Sequence, residues 1–111
     1  MLIEERRSVV EVTTQKLKEY LQGLYQDNLD KVILFGSEAR GDAEVDSDVD
    51  ILIVLKKSFK YGEEVDRISS YISDICLEYE LYLSCCFTTL EKWNVANNGF
   101  YRNVRKDGVE I

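Results

Sequence analysis

A small mixed β-sheet flanked by helices, in a single α+β domain spanning residues 1–111, is the fold class that the sequence predicts. Three observations predict it. Two long stretches, 5–27 and 61–79, repeat their apolar positions at helical spacing. Three short apolar runs, KVILF (31–35), DVDILIVL (48–55) and LYLSCCF (81–87), have strand length and are bounded by turn or charged residues. No proline, repeat or low-complexity segment marks a linker, and 111 residues at 45% hydrophobic content suffice for one core but not two.

In the first helix Val10, Leu17, Leu21 and Leu24 recur at three-, four- and seven-residue steps among charged residues, until Asn28 and Asp30 break the pattern. The first strand then runs into Gly36, which signals a tight loop, and SEAR (37–40) is able to start a helix. The second strand is apolar on both faces once its aspartates are past. The second long helix carries Val65, Ile68, Ile72, Ile75, Cys76 and Tyr79 on one stripe and leads into the third strand. Thr88, with Glu91 three residues on, has the spacing of a capping box that opens a short helix ending near Asn97-Asn98-Gly99. The remainder, FYRNVRKDGVEI, contains a turn at Asp107-Gly108 and a last short strand. In this arrangement the loop after the first strand and the start of the second are expected together at one sheet edge.

Composition narrows the chemistry. With 21 acidic against 14 basic residues, a net charge of −7 repels polyanions and excludes broad nucleic-acid or membrane-surface binding. The absence of histidine excludes Ser-His-Asp and Cys-His catalysis and every histidine-based metal site. Cys76, Cys85 and Cys86 lack the spacing of a zinc knuckle or redox motif, and adjacent cysteines in an apolar run suit a core. The start MLIEERRSVV has no long apolar core and no later run reaches membrane-spanning length, so a cytoplasmic protein is expected.

The informative stretch is GSEARGDAEVDSDVDILI (36–53). In an extended segment Asp48 and Asp50 point to one face, with Cα atoms about 6.5–7 Å apart, while Val49 points to the other. Two carboxylates held this way repel each other unless a cation lies between them, and two Mg²⁺ ions roughly 3.5–4 Å apart suit them. Asp46, Asp48 and Asp50 also match the first ligands of a calcium-binding EF-hand, but Ile51 stands where glycine and Lys57 where glutamate is required. Upstream, the backbone N–H groups after Gly36 and the Ser37 hydroxyl are able to cradle phosphate oxygens. Arg40 is open to two roles: steadying those phosphates, or pairing with local acids such as Asp42 and Asp46. Ser47 suits the turn into the strand, and Asp42, Glu44 and Asp46 suit a solvated loop.

The string Gly36-Ser37-x-Ala39-Arg40-Gly41 followed by Ser47-Asp48-x-Asp50 resembles the signature of the nucleotidyltransferase (polymerase-beta-like) fold superfamily. The chain's size, its LEYELYLSCCF strand and its ending GFYRNVRKDGVEI resemble the minimal nucleotidyltransferase (MNT) branch. The resemblance implies transfer of a nucleoside monophosphate from an NTP, ATP above all, to an acceptor hydroxyl. Asp48 and Asp50 would hold two Mg²⁺ ions, and Gly36, Ser37, Arg40 and Ser47 would line the nucleotide site. MNT proteins commonly act as antitoxins of HEPN ribonuclease toxins, by nucleotidylating a tyrosine of the toxin or by binding it. An acidic surface suits such a basic, RNA-binding partner, and self-association remains open. The chain departs from the family in two places. A third carboxylate is expected on the neighbouring strand where Ser84 stands, and Glu80, of the same parity, lies about 13 Å back along an extended strand. Position 38, often basic in the family, is Glu38, which weakens the cradle's positive field. An inactive antitoxin that occludes its partner is therefore the alternative reading. Tyr20, Tyr25, Trp93, Phe100 and Tyr101 serve either core packing or partner contact, and Arg102, Arg105 and Lys106 either a nucleotide or solvent.

Overall fold

The computed structural model describes residues 2–111. Its chain order is α1 (Ile3–Tyr25), a 3₁₀ turn (Gln26–Asn28), β1 (Leu29–Phe35), α2 (Ser37–Arg40), β2 (Val49–Leu55), α3 (Tyr61–Tyr79), β3 (Leu83–Thr89), α4 (Leu90–Val95), α5 (Gly99–Asp107) and β4 (Val109–Glu110). One four-stranded sheet has the order β3-β2-β1-β4. β1 runs antiparallel to both β2 and β4, whereas β2 and β3 are parallel and joined by α3.

Period-two alternation sorts the strands between two cores. Val32, Val49, Ile51, Ile53, Leu55, Leu83 and Phe87 face α1 and α3, where they meet Val10, Leu17, Leu21, Ile68 and Ile75. Ile33, Leu52 and Val54 face the other way and are covered by Leu90 and Trp93 of α4 and Val104 of α5. β2 is buried on both faces from Ile51 onward, which is why its sequence is uninterrupted hydrophobe there.

Packing redraws several sequence expectations. On α3 the buried stripe runs through Glu64, Ile68 and Ile75, and Val65 is 38% exposed. Ile68, Ile72, Ile75, Cys76 and Tyr79 lie on the core as expected, and only the first position departs: Glu64 takes the buried place of Val65, with Tyr25 Oη donating to its carboxylate at 2.7 Å and Arg67 Nε at 3.0 Å. Burial opposes the ionised Glu64, but the bonds from Tyr25 and Arg67 outweigh it and hold the carboxyl below its ordinary range. A depressed carboxylate adds stability that is present above its unfolded-state pKa and lost as pH falls through the folded one. Tyr25→Phe is therefore expected to cost about 1–2 kcal/mol at pH 7 and much less near pH 3, as measured by urea unfolding at the two values. An equal cost at both would show that the charge of Glu64 plays no part.

The capping box expected at Thr88 is displaced by one residue. Thr88 is a buried strand residue bonded to Tyr101 Oη at 2.7 Å, and Thr89 is the N-cap, accepting from Lys92 N at 3.2 Å. The short helix α4 ends at Val95, just before the expected Asn97-Asn98-Gly99, but Asn98 also caps a further helix, α5, not expected from the sequence, its Oδ1 accepting from Tyr101 N at 3.2 Å. Asparagine serves helix starts as well as stops, and here the following apolar residues face the second core. The aromatic residues are used mainly in seams: Tyr20 stacks on Tyr71 at 3.8 Å between α1 and α3, and Trp93 packs in the second core. Among the described residues no helix is long and apolar enough to cross a membrane.

Candidate functional site

The antiparallel pairing of β1 and β2 brings the end of one strand beside the start of the other, with Phe35 opposite Asp50. These are the two central strands, so the Gly36 loop and the aspartates meet at the end of the sheet and not at a lateral edge as expected. Asp50 shares the face of Leu52, the side covered by α4 and α5. The other neighbour of Asp50, across the parallel β2–β3 pair, is Ser84. The sequence alignment of the third strand therefore corresponds to the actual register, and hydroxyl, not carboxylate, stands beside Asp50.

Gly36 is shaped by its neighbour. Its φ of 75° and ψ of −153° lie where only glycine is comfortable, and a Cβ there would collide with the Asp50 carboxylate. The carboxylate thus rests directly against the Gly36-Ser37 loop. Ser37 opens α2, whose first N–H groups precede any intrahelical acceptor and remain available to an anion, while Arg40 N donates to Gly36 O at 3.1 Å. Gly41, with φ of 82°, ends this single turn in the left-handed conformation.

Asp48 lies just before β2 and is exposed, whereas Asp50 is half-buried. Burial, and next the charge of Asp48, raise the Asp50 carboxyl above its ordinary range, with Arg40 pulling weakly in the opposite direction. Such a pair is short of positive charge. Mg²⁺ is commonly held by one or two protein carboxylates with substrate phosphates and water completing the shell, so Asp48 and Asp50 fit it as donors. No cluster of three Asp, Glu or Cys side chains suited to a metal occurs among the described residues.

The other expected residues fall as follows. Arg40 Nε lies 3.2 Å from Asp42 Oδ2, both exposed, so the local pairing is the one formed here. Ser47 Oγ accepts from Glu44 N at 2.9 Å, and Ser47 N donates to Glu44 O, which closes the turn before Asp48. Glu80 is not on a strand: with φ of 54° it is the left-handed residue that terminates α3, so the parity argument for it fails. Glu38 turns away from the cradle into a buried ion pair with Arg6, 2.6 Å, and its charge is thereby compensated. Arg6 was missed by sequence reasoning. It is 2% exposed, and beyond Glu38 it donates to the carbonyls of Val45 at 2.9 Å and Ser47 at 2.5 Å. An arginine in the first turn of an amphipathic helix reads as solvated, and no local signal marks its distant partners.

On the far side of the Gly36 loop, Phe100, Asn103 and Asp107 of α5 join Phe35 and Arg40 around a cavity of about 220 Å³. Arg105 is engaged elsewhere, over the Trp93 ring at 5.3 Å and the Tyr101 ring at 5.7 Å. Burial pushes the Cys85 thiol up to about 12 and the Cys86 thiol up to about 11, the latter with help from Asp50. Both stay protonated at neutral pH and are no nucleophiles.

The model of the nucleotidyltransferase domain family matches residues 14–99. Two candidate protein adenylyltransferases of Methanocaldococcus jannaschii are similar to the chain. One is 37% identical over 99 residues, covering 87% of this chain and 93% of the relative; the other is 35% identical over 100 residues, covering 83% and 90%. Among solved structures, a toxin–antitoxin crystallised with AMP-PNP aligns over 88% of this chain and 70% of its own, with a TM-score of 0.59 at 15% identity. A candidate nucleotidyltransferase from Sulfolobus solfataricus aligns over 95% and 74%, with a TM-score of 0.53 at 24% identity. Both likenesses concern the fold.

Proposed function

The chain belongs to the nucleotidyltransferase domain family, and on that premise we propose that it transfers a nucleoside monophosphate, AMP from ATP, to a tyrosine hydroxyl of a HEPN-type toxin. The observation that carries this reading is the contact of the Asp50 carboxylate with Gly36, which joins a cation site to a phosphate loop. The similarity to candidate protein adenylyltransferases supports a protein acceptor, and the toxin–antitoxin structure of the same fold supports the partner class.

In this reading the N–H groups at the start of α2 and the Ser37 hydroxyl bind the outer phosphates of the NTP. Asp48 and Asp50 would hold Mg²⁺, and the same carboxylates would orient the acceptor hydroxyl. Bound Mg²⁺ supplies charge neutralisation on the phosphates and lowers the pKa of the attacking hydroxyl. The Pα–O bond to pyrophosphate breaks as the bond to the acceptor oxygen forms, and the proton of the acceptor hydroxyl leaves to solvent water.

A second reading is favoured by Ser84. Serine beside Asp50 neither balances a divalent charge nor takes a proton at neutral pH, which suits an antitoxin that neutralises its partner by occlusion alone. Incubation of the protein and its partner with Mg²⁺ and ATP labelled at the α-phosphate separates the two. Label on the partner that disappears in Asp48→Asn is the expected result. No label, with the partner inhibited equally by wild type and Asp48→Asn, would refute transfer. Ser84→Asp is expected to raise transfer about tenfold or more by restoring a third carboxylate, and to lower the melting temperature of the metal-free protein through like-charge repulsion with Asp50. Unchanged labelling rates in that variant would show that the third acid is not the limiting part.

A further inference from the structure

Asp50 and Asp48 are held by different means. Asp50 is fixed by strand pairing on both sides, to Phe35 and to Ser84. Asp48 is the end of a connection, residues 41–48, that contains no helix or strand. The bonds between Ser47 and Glu44 shape this connection internally but do not tie it to the body of the protein. Asp42, Glu44, Asp46 and Asp48 crowd it with like charges that favour its spreading.

Backbone bonds tie its two ends, Asp42 N to Ser37 O at 3.1 Å and Val49 N to Tyr82 O at 2.8 Å, and what anchors its middle, up to the peptide before Asp48, is one side chain from the first turn of α1. Arg6 Nε donates to Glu38 of α2, Nη1 to Val45 O and Nη2 to Ser47 O. Three acceptors from two segments thus share one planar guanidinium. The Ser47 carbonyl belongs to the peptide unit whose N–H is that of Asp48, so fixing its direction fixes how the Asp48 side chain leaves the backbone. Glu38 belongs to the helix that directly follows the phosphate-type loop, so the same guanidinium sets the two halves of the site against each other.

We propose that Arg6 is a positioning residue for the reaction argued above: its buried guanidinium holds the peptide entering Asp48 at a set distance from the Gly36-Ser37 loop. The Arg6–Glu38 pair is neutral as a unit, with side chains 3% and 8% exposed, so it presents the cleft with a dipole whose field falls off faster than that of a single charge. Its main action is therefore through geometry. A buried ion pair is also weak as a source of stability, since apolar replacement of both partners is often neutral or better. That property separates positioning from folding.

The test uses Arg6→Met with Glu38→Leu, which removes both buried charges and the anchor together, and Arg6→Lys, which keeps a charge beside Glu38 but lacks the planar fork. Mn²⁺ affinity of the metal-free protein, read by electron paramagnetic resonance, is measured beside the kcat and KM for ATP in partner labelling. In either variant Mn²⁺ binding is expected to weaken about tenfold and kcat to fall about 10- to 100-fold, a misplacement of the order of 1 Å at a reacting centre being worth about that much. In Arg6→Lys, where Gly36 and α2 keep their sequence, KM for ATP should move less than about threefold. In an Asp48→Asn background, loss of the anchor should weaken Mn²⁺ binding no further.

A folded double variant with wild-type Mn²⁺ affinity and kcat would overturn the proposal, as would an undiminished effect in the Asp48→Asn background. If the double variant does not fold, Arg6→Lys decides by the same readings. Wild-type protein that binds Mn²⁺ but never labels its partner would overturn the transferase reading, and the Mn²⁺ series would still judge the anchor. No Mn²⁺ binding by the wild type would overturn both.

Discussion

Asp50→Asn is expected to lower nucleotidyl transfer by about a thousandfold or more and, at the same time, to make the metal-free protein more stable. The two effects share one cause. Burial first, and Asp48 second, raise the Asp50 carboxyl, so in the pH window between its unfolded and folded pKa values the folded protein keeps a proton that the unfolded chain has released. A raised pKa contributes stability that is fully present below the unfolded-state value and lost as pH rises through the folded one. At neutral pH the ionised Asp50 is thus a burden that asparagine removes. A rise of about 2–5 °C in melting temperature at pH 7.5 in chelator, shrinking to nothing near pH 3, is the expected reading. Added Mg²⁺ should stabilise the wild type and leave the variant unmoved. A variant that melts lower than wild type at pH 7.5 would mean that the carboxylate is a structural partner and not a strained cation ligand.

Gly36→Ala carries the largest expected stability effect. Its backbone lies in a region that costs other residues about 1–3 kcal/mol, and its new methyl group would meet the Asp50 carboxylate, for a total of about 2–4 kcal/mol. The two parts are separable. In an Asp50→Ala background the collision with the carboxylate oxygen disappears and only the backbone part remains, so about 1 kcal/mol or more should be recovered in urea unfolding. Strict additivity of the two substitutions would show that Gly36 and Asp50 are not in contact in solution. Transfer by Gly36→Ala should be lost even at temperatures where it is folded, because Asp50 has to move to admit the methyl group.

Legibility followed the range of each interaction. Strands and long helices were readable because burial imposes period two or 3.6 over many residues, and Val49 and Asp50 fall on opposite faces as that period requires. The register placing Ser84 opposite Asp50 followed from the same alternation. Errors arose where one residue admits two roles. Asn98 marks both the end of α4 and the start of α5, of which spacing shows only the end; Thr88 has the spacing of a cap and is core; and Glu80 has a strand's parity but terminates a helix. The exposure of Val65 at the start of the α3 stripe has a different origin, the pairing of its neighbour Glu64 with Tyr25, which lies 39 positions away in the chain.

The sequence by itself determined the mixed sheet between helices, the family, and the pairing of a glycine-serine loop with an Asp-x-Asp strand. These depend on local spacing, and local spacing is what a sequence displays. Tertiary structure alone decided that Gly36 must be glycine because Asp50 lies against it, that Glu38 faces a buried arginine instead of the cradle, and that the peptide before Asp48 hangs from Arg6. The reason is physical: a guanidinium 32 to 41 positions from its acceptors makes contacts that chain closure and burial create, and no periodicity announces them.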